Sequence, residues 1–240
     1  MTRGKYMPEK IDLFEAIDTQ RGIRYFKPDP IPDELINRLL KAAVKAPSGG
    51  AKQGWSFIVI RDPETRREIG DLYRAGTRFE IGTDLTAQAR RAYGGAQHLE
   101  DHIEEVPVLI LACIQTDPGT APSAASIFPA VQNILLAARG LGLGSVLTTR
   151  QTRFEKEIKQ LLSIPDDVTT MALLPIGFPA DGARYGPTRR KPLEEVAFVE
   201  RWGESWQLGS PGYTSNILSL IHISEPTRPR LISYAVFCLK

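Results

Sequence analysis

Apolar residues along this chain follow two periods, and the places where one gives way to the other mark the elements. Ile11, Leu13, Phe14 and Ile17 recur at helical spacing over residues 11–20. They predict a short amphipathic helix that runs into Arg21-Gly22-Ile23-Arg24-Tyr25-Phe26, and the Pro28-Asp29-Pro30 stretch breaks it. A second helix follows Pro32-Asp33-Glu34, with Leu35, Ile36, Leu39, Leu40, Ala43 and Val44 on its buried side and acids in its first turn. Pro47-Ser48-Gly49-Gly50 stops it. Trp55–Arg61 is mostly apolar on both faces, which predicts a central strand. Asp62-Pro63-Glu64 then offers an N-cap acid and a proline at the first helical position.

Residues 71–105 are polar, glycine-punctuated and arginine-rich, and predict a mobile excursion with one helix near its end. Val106–Ile114 is the second buried strand. Ser123–Gly140 is apolar nearly all round, so this helix is expected at the centre of the fold. Gly142–Thr149 predicts a third strand, residues 152–162 a helix, Thr169–Gly177 a fourth strand, and Val196–Val199 a short addition. Helices and strands alternate irregularly and no repeat is visible, which predicts a layered α+β or α/β fold.

The length of 240 residues suits one domain, expected over residues 1–209, and 42% hydrophobic with 24% charged residues is a globular composition. A net charge of +2 argues against nucleic acid or membrane as a global partner. No apolar run is long enough to span a bilayer, and the N-terminal stretch, with Asp12 and Glu15, lacks the apolar core of a signal peptide, so the cytoplasm is the expected compartment. Cys113 and Cys238 are the only cysteines; Cys113 sits in an apolar run and reads as a small buried hydrophobe. From about Ser215, after Gly-Ser-Pro-Gly at 209–212, the chain loses any consistent period and resembles a translated sequencing adapter. Residues 210–240 are therefore expected to be a non-native tail.

Side chains with reactive chemistry are few. His98 and His102 lie four apart on an expected helix, but the glutamate pattern of a metal helix is missing, and a solvated charged face is the expectation; no metal is called for. Gly140-Leu141-Gly142-Leu143-Gly144-Ser145 follows a helix and precedes a strand, the reverse of a dinucleotide-binding turn, and reads as a helix C-cap with tight packing. What remains suits an anion. Arg21 and Arg24 lie at a helix end, Arg189-Arg190-Lys191 form a second basic cluster, and Ser48 before two glycines can add hydroxyl and N–H donors.

The order of these features resembles the nitroreductase family. Gln20-Arg21-Gly22-Ile23-Arg24-Tyr25-Phe26 is similar to its opening basic element, and Ala46-Pro47-Ser48-Gly49-Gly50-Ala51-Lys52-Gln53-Gly54-Trp55 to the loop before its first strand. Ala130-Val131-Gln132-Asn133-Ile134-Leu135-Leu136-Ala137-Ala138 followed by Gly142-Leu143-Gly144-Ser145 matches its central helix. Pro175-Ile176-Gly177-Phe178-Pro179 and Arg190-Lys191-Pro192-Leu193 match its last two elements, so the resemblance spans roughly residues 11–207. Four positions depart from the pattern: Gln20 stands for an arginine, Gly22 for a serine, Ala51 for an asparagine and Gly54 for a proline. The first two remove phosphate contacts, and the third puts one contact near the flavin ring in doubt.

The resemblance implies a three-layer α/β/α sandwich of the α+β class around a mixed, mainly antiparallel sheet, assembled as an intertwined homodimer with FMN at its interface. Arg21, Gly22, Arg24, Pro47, Ser48, Gln53, Thr148, Thr149 and Arg190 are the implied FMN contacts. Arg21 and Arg190 would take the phosphate, and Arg24 the ribityl chain and ring edge, where a cation raises the flavin potential. NADH or NADPH would donate hydride, and an electron-poor organic acceptor, nitroaromatic or quinone-like, would then replace it in a ping-pong cycle. Tyr73, Phe79 and Tyr93, with Arg78, are the candidate cover over the substrate. Reductive dehalogenation or ene reduction on the same fold, a flavin-binding protein without turnover, and a module with no flavin are the alternatives.

Overall fold

The computed structural model describes residues 11–75, 85–115 and 121–206, so the tail and Phe79 with Arg78 lie outside the described residues. Two compact units emerge, Met1–Thr188 and Arg189–Lys240. The first carries the helices α1 (Leu13–Thr19), α2 (Asp33–Ala43), α3 (Pro63–Ala75), α4 (Ala87–Asp101), α5 (Ile127–Gly140) and α6 (Glu155–Leu162). Its strands are β1 (Trp55–Ile60), β2 (Val108–Gln115), β3 (Gly144–Ser145) and β4 (Val168–Gly177).

Among the described residues the strands form one sheet in the order β1-β2-β4-β3, with every neighbouring pair antiparallel. The mixed character expected of the sheet is confined to one isolated parallel bridge, Gly22 with Ser145. Strand β2 explains the layers. Val108, Ile110, Ala112 and Ile114 point into a cluster built with α2 and α5, while Leu109, Leu111 and Cys113 point into another built from Ile69, Tyr73, Leu99 and Ile158 of the opposite helices. A strand buried on both faces has no polar alternation to show, which is why it reads as a continuous apolar run. The result is helix, sheet, helix, an α+β sandwich.

Local signals hold at several ends. Asp12 accepts from the Glu15 N–H at 2.9 Å to cap α1, and Asp62 accepts from the Thr65 N–H at 2.8 Å to cap α3. Helix α2 buries Leu35, Ile36, Leu39 and Ala43, and each fully buried leucine or isoleucine is worth about 1.5–3 kcal/mol. Cys113 is buried, and burial pushes its thiol up to about 11, so it behaves as packing.

Four expectations are corrected. β1 lies at the edge of the sheet, not its centre; its faces are both apolar because Trp55, Phe57 and Val59 pack on one cluster and Ile58 and Ile60 on the other. The strand expected over Gly142–Thr149 shrinks to Gly144–Ser145, because Gly142 and Leu143 are used to cap α5 and only Thr148 rejoins β4, by a bridge to Leu173. Val196–Val199 forms no strand. A 3-10 turn at Leu193–Glu195 precedes it, and Phe198 bridges only to Ser205. Residues 71–75 continue α3 and residues 87–101 form a full helix despite Gly94 and Gly95, so regular structure covers more of 71–105 than its composition suggests. No helix among the described residues is long and apolar enough to cross a membrane.

Candidate functional site

The basic segment after α1 is laid along the sheet. Ile23 N–H donates to the Ser145 carbonyl at 3.0 Å, Lys27 N–H to the Phe178 carbonyl at 2.8 Å, and Ala180 N–H to the Tyr25 carbonyl at 3.0 Å. Two glycines allow this approach. A Cβ on Gly144 would stand 2.7 Å from Ile23 Cγ2, and one on Gly177 would stand 2.9 Å from Phe26 Cδ1. The glycine-rich stretch therefore packs tightly, as its position after a helix predicts. Its other expected role is present as well. Gly142, at φ +73°, closes α5: its N–H donates to the Arg139 carbonyl at 3.1 Å, and Leu143 N–H donates to Ala138 at 2.8 Å.

This strip brings Arg21 and Arg24 together. Arg24 is half-buried, and burial, followed by the positive charge of Arg21, holds its guanidinium below the ordinary range. Among the described residues neither has a carboxylate partner, so the pair is a concentration of positive charge with hydrogen-bonding capacity to spare. Gly22 leaves room for it, since a Cβ there would lie 3.1 Å from Val146 Cγ2 and 3.4 Å from Arg24 Nη1. The serine that the motif leads one to expect would be crowded at this position. Beside them Tyr25 stacks on His98 with centroids 4.1 Å apart, and His102 packs against His98 with tilted rings at 4.6 Å. Tyr25 and the two histidines thus form an aromatic cluster rather than a bare charged face.

Beyond Ser145 the chain reaches Thr148 and Thr149. Thr148 exchanges hydrogen bonds with Leu173 of β4 at 3.0 and 2.9 Å, and its hydroxyl accepts from the Arg150 N–H at 3.3 Å. Arg150 pairs with Glu100 of α4, the two side chains only 6% and 4% exposed, and its Nη2 donates to the Tyr73 carbonyl at 3.3 Å. Sequence reasoning missed this pair and Gly95 of α4, which lies against Arg24. The one signal available was a charge on the inward face of α4 between Leu99 and Ile103.

The Pro47–Gln53 loop is elsewhere. Ser48 Oγ accepts from the Gln53 N–H at 3.0 Å, and Gly49 N–H donates to Ser126 Oγ at 3.2 Å, at the start of α5. Gly50, Ala51 and Gln53 all take left-handed backbone, at φ 59°, 53° and 51°. Only glycine does so without cost, and asparagine more readily than alanine. Ala51→Asn is accordingly expected to raise the unfolding free energy by roughly 0.5–1 kcal/mol in urea titrations, and Ala51→Val to lower it. An unchanged midpoint for both would show that the loop stores no strain.

Helix α5 separates the two sets. Its fourteen residues span roughly 21 Å at the standard rise, with Ser48 anchored before its start and the arginine strip bound to Ser145 after its end. The sheet register agrees, since Gly54 bonds Gln115, at the opposite end of β2 from Val108, which pairs with Ile176 and hence neighbours Ser145. One chain therefore brings Arg21, Gly22 and Arg24 together beside the Ser145–Thr149 stretch, and keeps Pro47, Ser48 and Gln53 apart from them.

The remaining candidates fall as follows. Arg190, in the second unit, is exposed, and its Nη1 donates to the Arg189 carbonyl at 3.4 Å. Tyr93 is exposed on α4. Tyr73 is 2% exposed and packs among Ile69, Leu99 and Leu111. Its burial corrects the expectation that its ring covers a substrate, because the inward face of α3 places it in the core.

The family model described as "Nitroreductase family" matches residues 17–178. A relative from Methanothermobacter thermautotrophicus, provisionally named an NADH dehydrogenase/NAD(P)H nitroreductase, is 34% identical over 179 residues, covering 72% of this chain and 80% of its own. Iodotyrosine deiodinase 1 of Rattus norvegicus is 29% identical over 204 residues, covering 77% of this chain and 68% of its own. Among solved structures, oxidised iodotyrosine deiodinase bound to FMN and 3-iodo-L-tyrosine superposes with a TM-score of 0.63 at 24% identity, over 79% of this chain and 99% of that one. With a family model that matches most of the chain and a relative 34% identical over 179 residues, this chain belongs to the nitroreductase family.

Proposed function

We propose that the protein is an FMN-dependent oxidoreductase that uses NAD(P)H to reduce an electron-poor organic acceptor, nitroaromatic or quinone-like, as a homodimer in the cytoplasm. The observation that carries this reading is the Arg21–Arg24 pair, which has no carboxylate partner among the described residues and lies at a glycine-lined sheet edge. The donor set fits FMN: guanidinium groups suit a phosphate, and the Thr148 and Thr149 hydroxyls and the Ser48 loop suit a polar ring edge. Bound FMN supplies two-electron hydride chemistry that no side chain here could supply.

The chain's own part is to bind and to bias. Arg21 would hold the phosphate, and the family resemblance makes Arg190 a further phosphate ligand, from this copy or its partner. Arg24, half-buried, would set a fixed positive charge against the flavin and so raise its reduction potential. Helix α5 lies between the arginine strip and Pro47, Ser48 and Gln53, which supports an assembly in which a partner copy would bring its own Ser48 loop to the flavin. The exposed apolar side chains of α1, Leu13 at 63%, Phe14 at 74% and Ile17 at 49%, are consistent with burial against that copy.

The reading is tested by titrating apo-protein with FMN and adding NADH or NADPH without oxygen. FMN binding and rapid bleaching are expected, and Arg190→Ala is expected to weaken FMN binding about ten- to a hundredfold, the worth of a charge-assisted contact. A protein that takes up no FMN overturns the reading; one that binds but never bleaches is a flavin carrier. The 29% identity to an iodotyrosine deiodinase favours reductive dehalogenation as the second reading. Turnover of halogenated phenols in preference to nitroarenes would establish it.

A further inference from the structure

Helix α4 carries Gly94 and Gly95 in the interior of its fifteen residues, where glycine weakens a helix by leaving its backbone free and unpacked. Their surroundings differ. A Cβ on Gly94 would meet nothing within 4 Å, whereas one on Gly95 would stand 3.2 Å from Arg24 Cδ and 3.9 Å from both Arg24 Cβ and Tyr25 Cε2. The stem of Arg24 lies on bare helix backbone. One turn further along the same face, His98 stacks on Tyr25, and His102 packs against His98 with its ring tilted. At the other end of the side chain, Gly22 leaves the space that Arg24 Nη1 borders. The strip's backbone is already tied to Ser145 and Phe178, so the helix face closes the remaining side.

We infer that Gly95 is a positioning residue for Arg24: the bare face of α4 at Gly95, backed by the His98–Tyr25 stack, sets the pose in which the Arg24 guanidinium is presented. An exposed arginine samples many rotamers, and ordering it on binding costs affinity. Seated on α4, Arg24 is ordered before any ligand arrives. The consequence for flavin rests on the reading that Arg24 meets FMN; the seating itself does not.

The test uses the full chain with Gly94→Ala, Gly95→Ala, Gly95→Val and Arg24→Ala. In apo-protein labelled with 15N-arginine, the Arg24 Nε–H resonance is expected to move under Gly95→Ala, to move further and broaden under Gly95→Val, and to stay in place under Gly94→Ala. FMN affinity is expected to fall a few-fold for Gly95→Ala and about tenfold for Gly95→Val, with a lower flavin midpoint potential and no added loss when Arg24→Ala is already present. An Arg24 resonance indifferent to both Gly95 variants overturns the inference, and so does a Gly95→Val protein that binds FMN like wild type while Arg24→Ala does not. If Arg24→Ala alone leaves affinity and potential unchanged, the flavin reading of Arg24 fails, and the resonance still decides the seating. Gly95→Ala keeps the test valid should the bulkier variant not fold.

Discussion

Glu100→Ala is expected to lower the unfolding free energy by about 3–5 kcal/mol, because it strands the guanidinium of Arg150 in the interior. The pair is buried where α4 meets the turn after Thr149, with the two side chains 6% and 4% exposed. Taking two charges out of water costs several kcal/mol each, and their mutual attraction does little more than offset that. Removing one partner therefore costs far more than the pair contributes. Replacing both, Arg150→Met with Glu100→Leu, is expected to recover most of the loss in stability. It would still release the Tyr73 carbonyl that Arg150 holds at 3.3 Å. Urea denaturation of the three variants measures this directly. A loss below about 1 kcal/mol for Glu100→Ala, the size of an exposed pair, would mean that water reaches the site.

Gly144→Val is expected to disturb both stability and ligand binding. Its first added carbon already falls 2.7 Å from Ile23 Cγ2, and Ile23 is buried and tied by its N–H to Ser145. The strip must lift from the sheet. Overpacking of this kind costs about 1–3 kcal/mol, and because Arg21 and Arg24 ride on the strip, FMN affinity is expected to fall at least about tenfold. Gly140→Ala is the control, since a Cβ there meets nothing within 4 Å and alanine is the better helix residue by about 1 kcal/mol. Melting curves and FMN titrations of both variants check the contrast. A Gly144→Val protein that binds FMN normally would separate the strip from the site.

Much of the sandwich was legible because its central elements carry their own patterns. The run Val108–Ile114 could only be a strand covered on both sides, and Asp62-Pro63 could hardly start anything but a helix. Position within the sheet was less legible. β1 and β2 are similarly apolar, yet one is an edge and the other central, since side-chain pattern reports which faces are covered and not which hydrogen-bond partners flank the strand. β3 was overestimated because Val146 and Leu147 are apolar for packing, not for pairing. In the candidate site, Arg21 and Arg24 stand out in the sequence because they share a motif of adjacent residues. Gly95 and the Arg150–Glu100 pair do not, because their partners lie 50 or more positions away and only the fold brings them close.

The length of α5 has a thermodynamic consequence. If a single FMN touches both the arginine strip and the Ser48 loop, two chains must supply them, and cofactor loading and self-association become one linked equilibrium. Dilution then strips the flavin, and added flavin pulls chains together, by mass action alone. Apparent affinity for FMN becomes a property of protein concentration as much as of any contact. On that condition a cell holding too little of this protein would have not a weaker flavin site but none, because each isolated chain would carry only half of one.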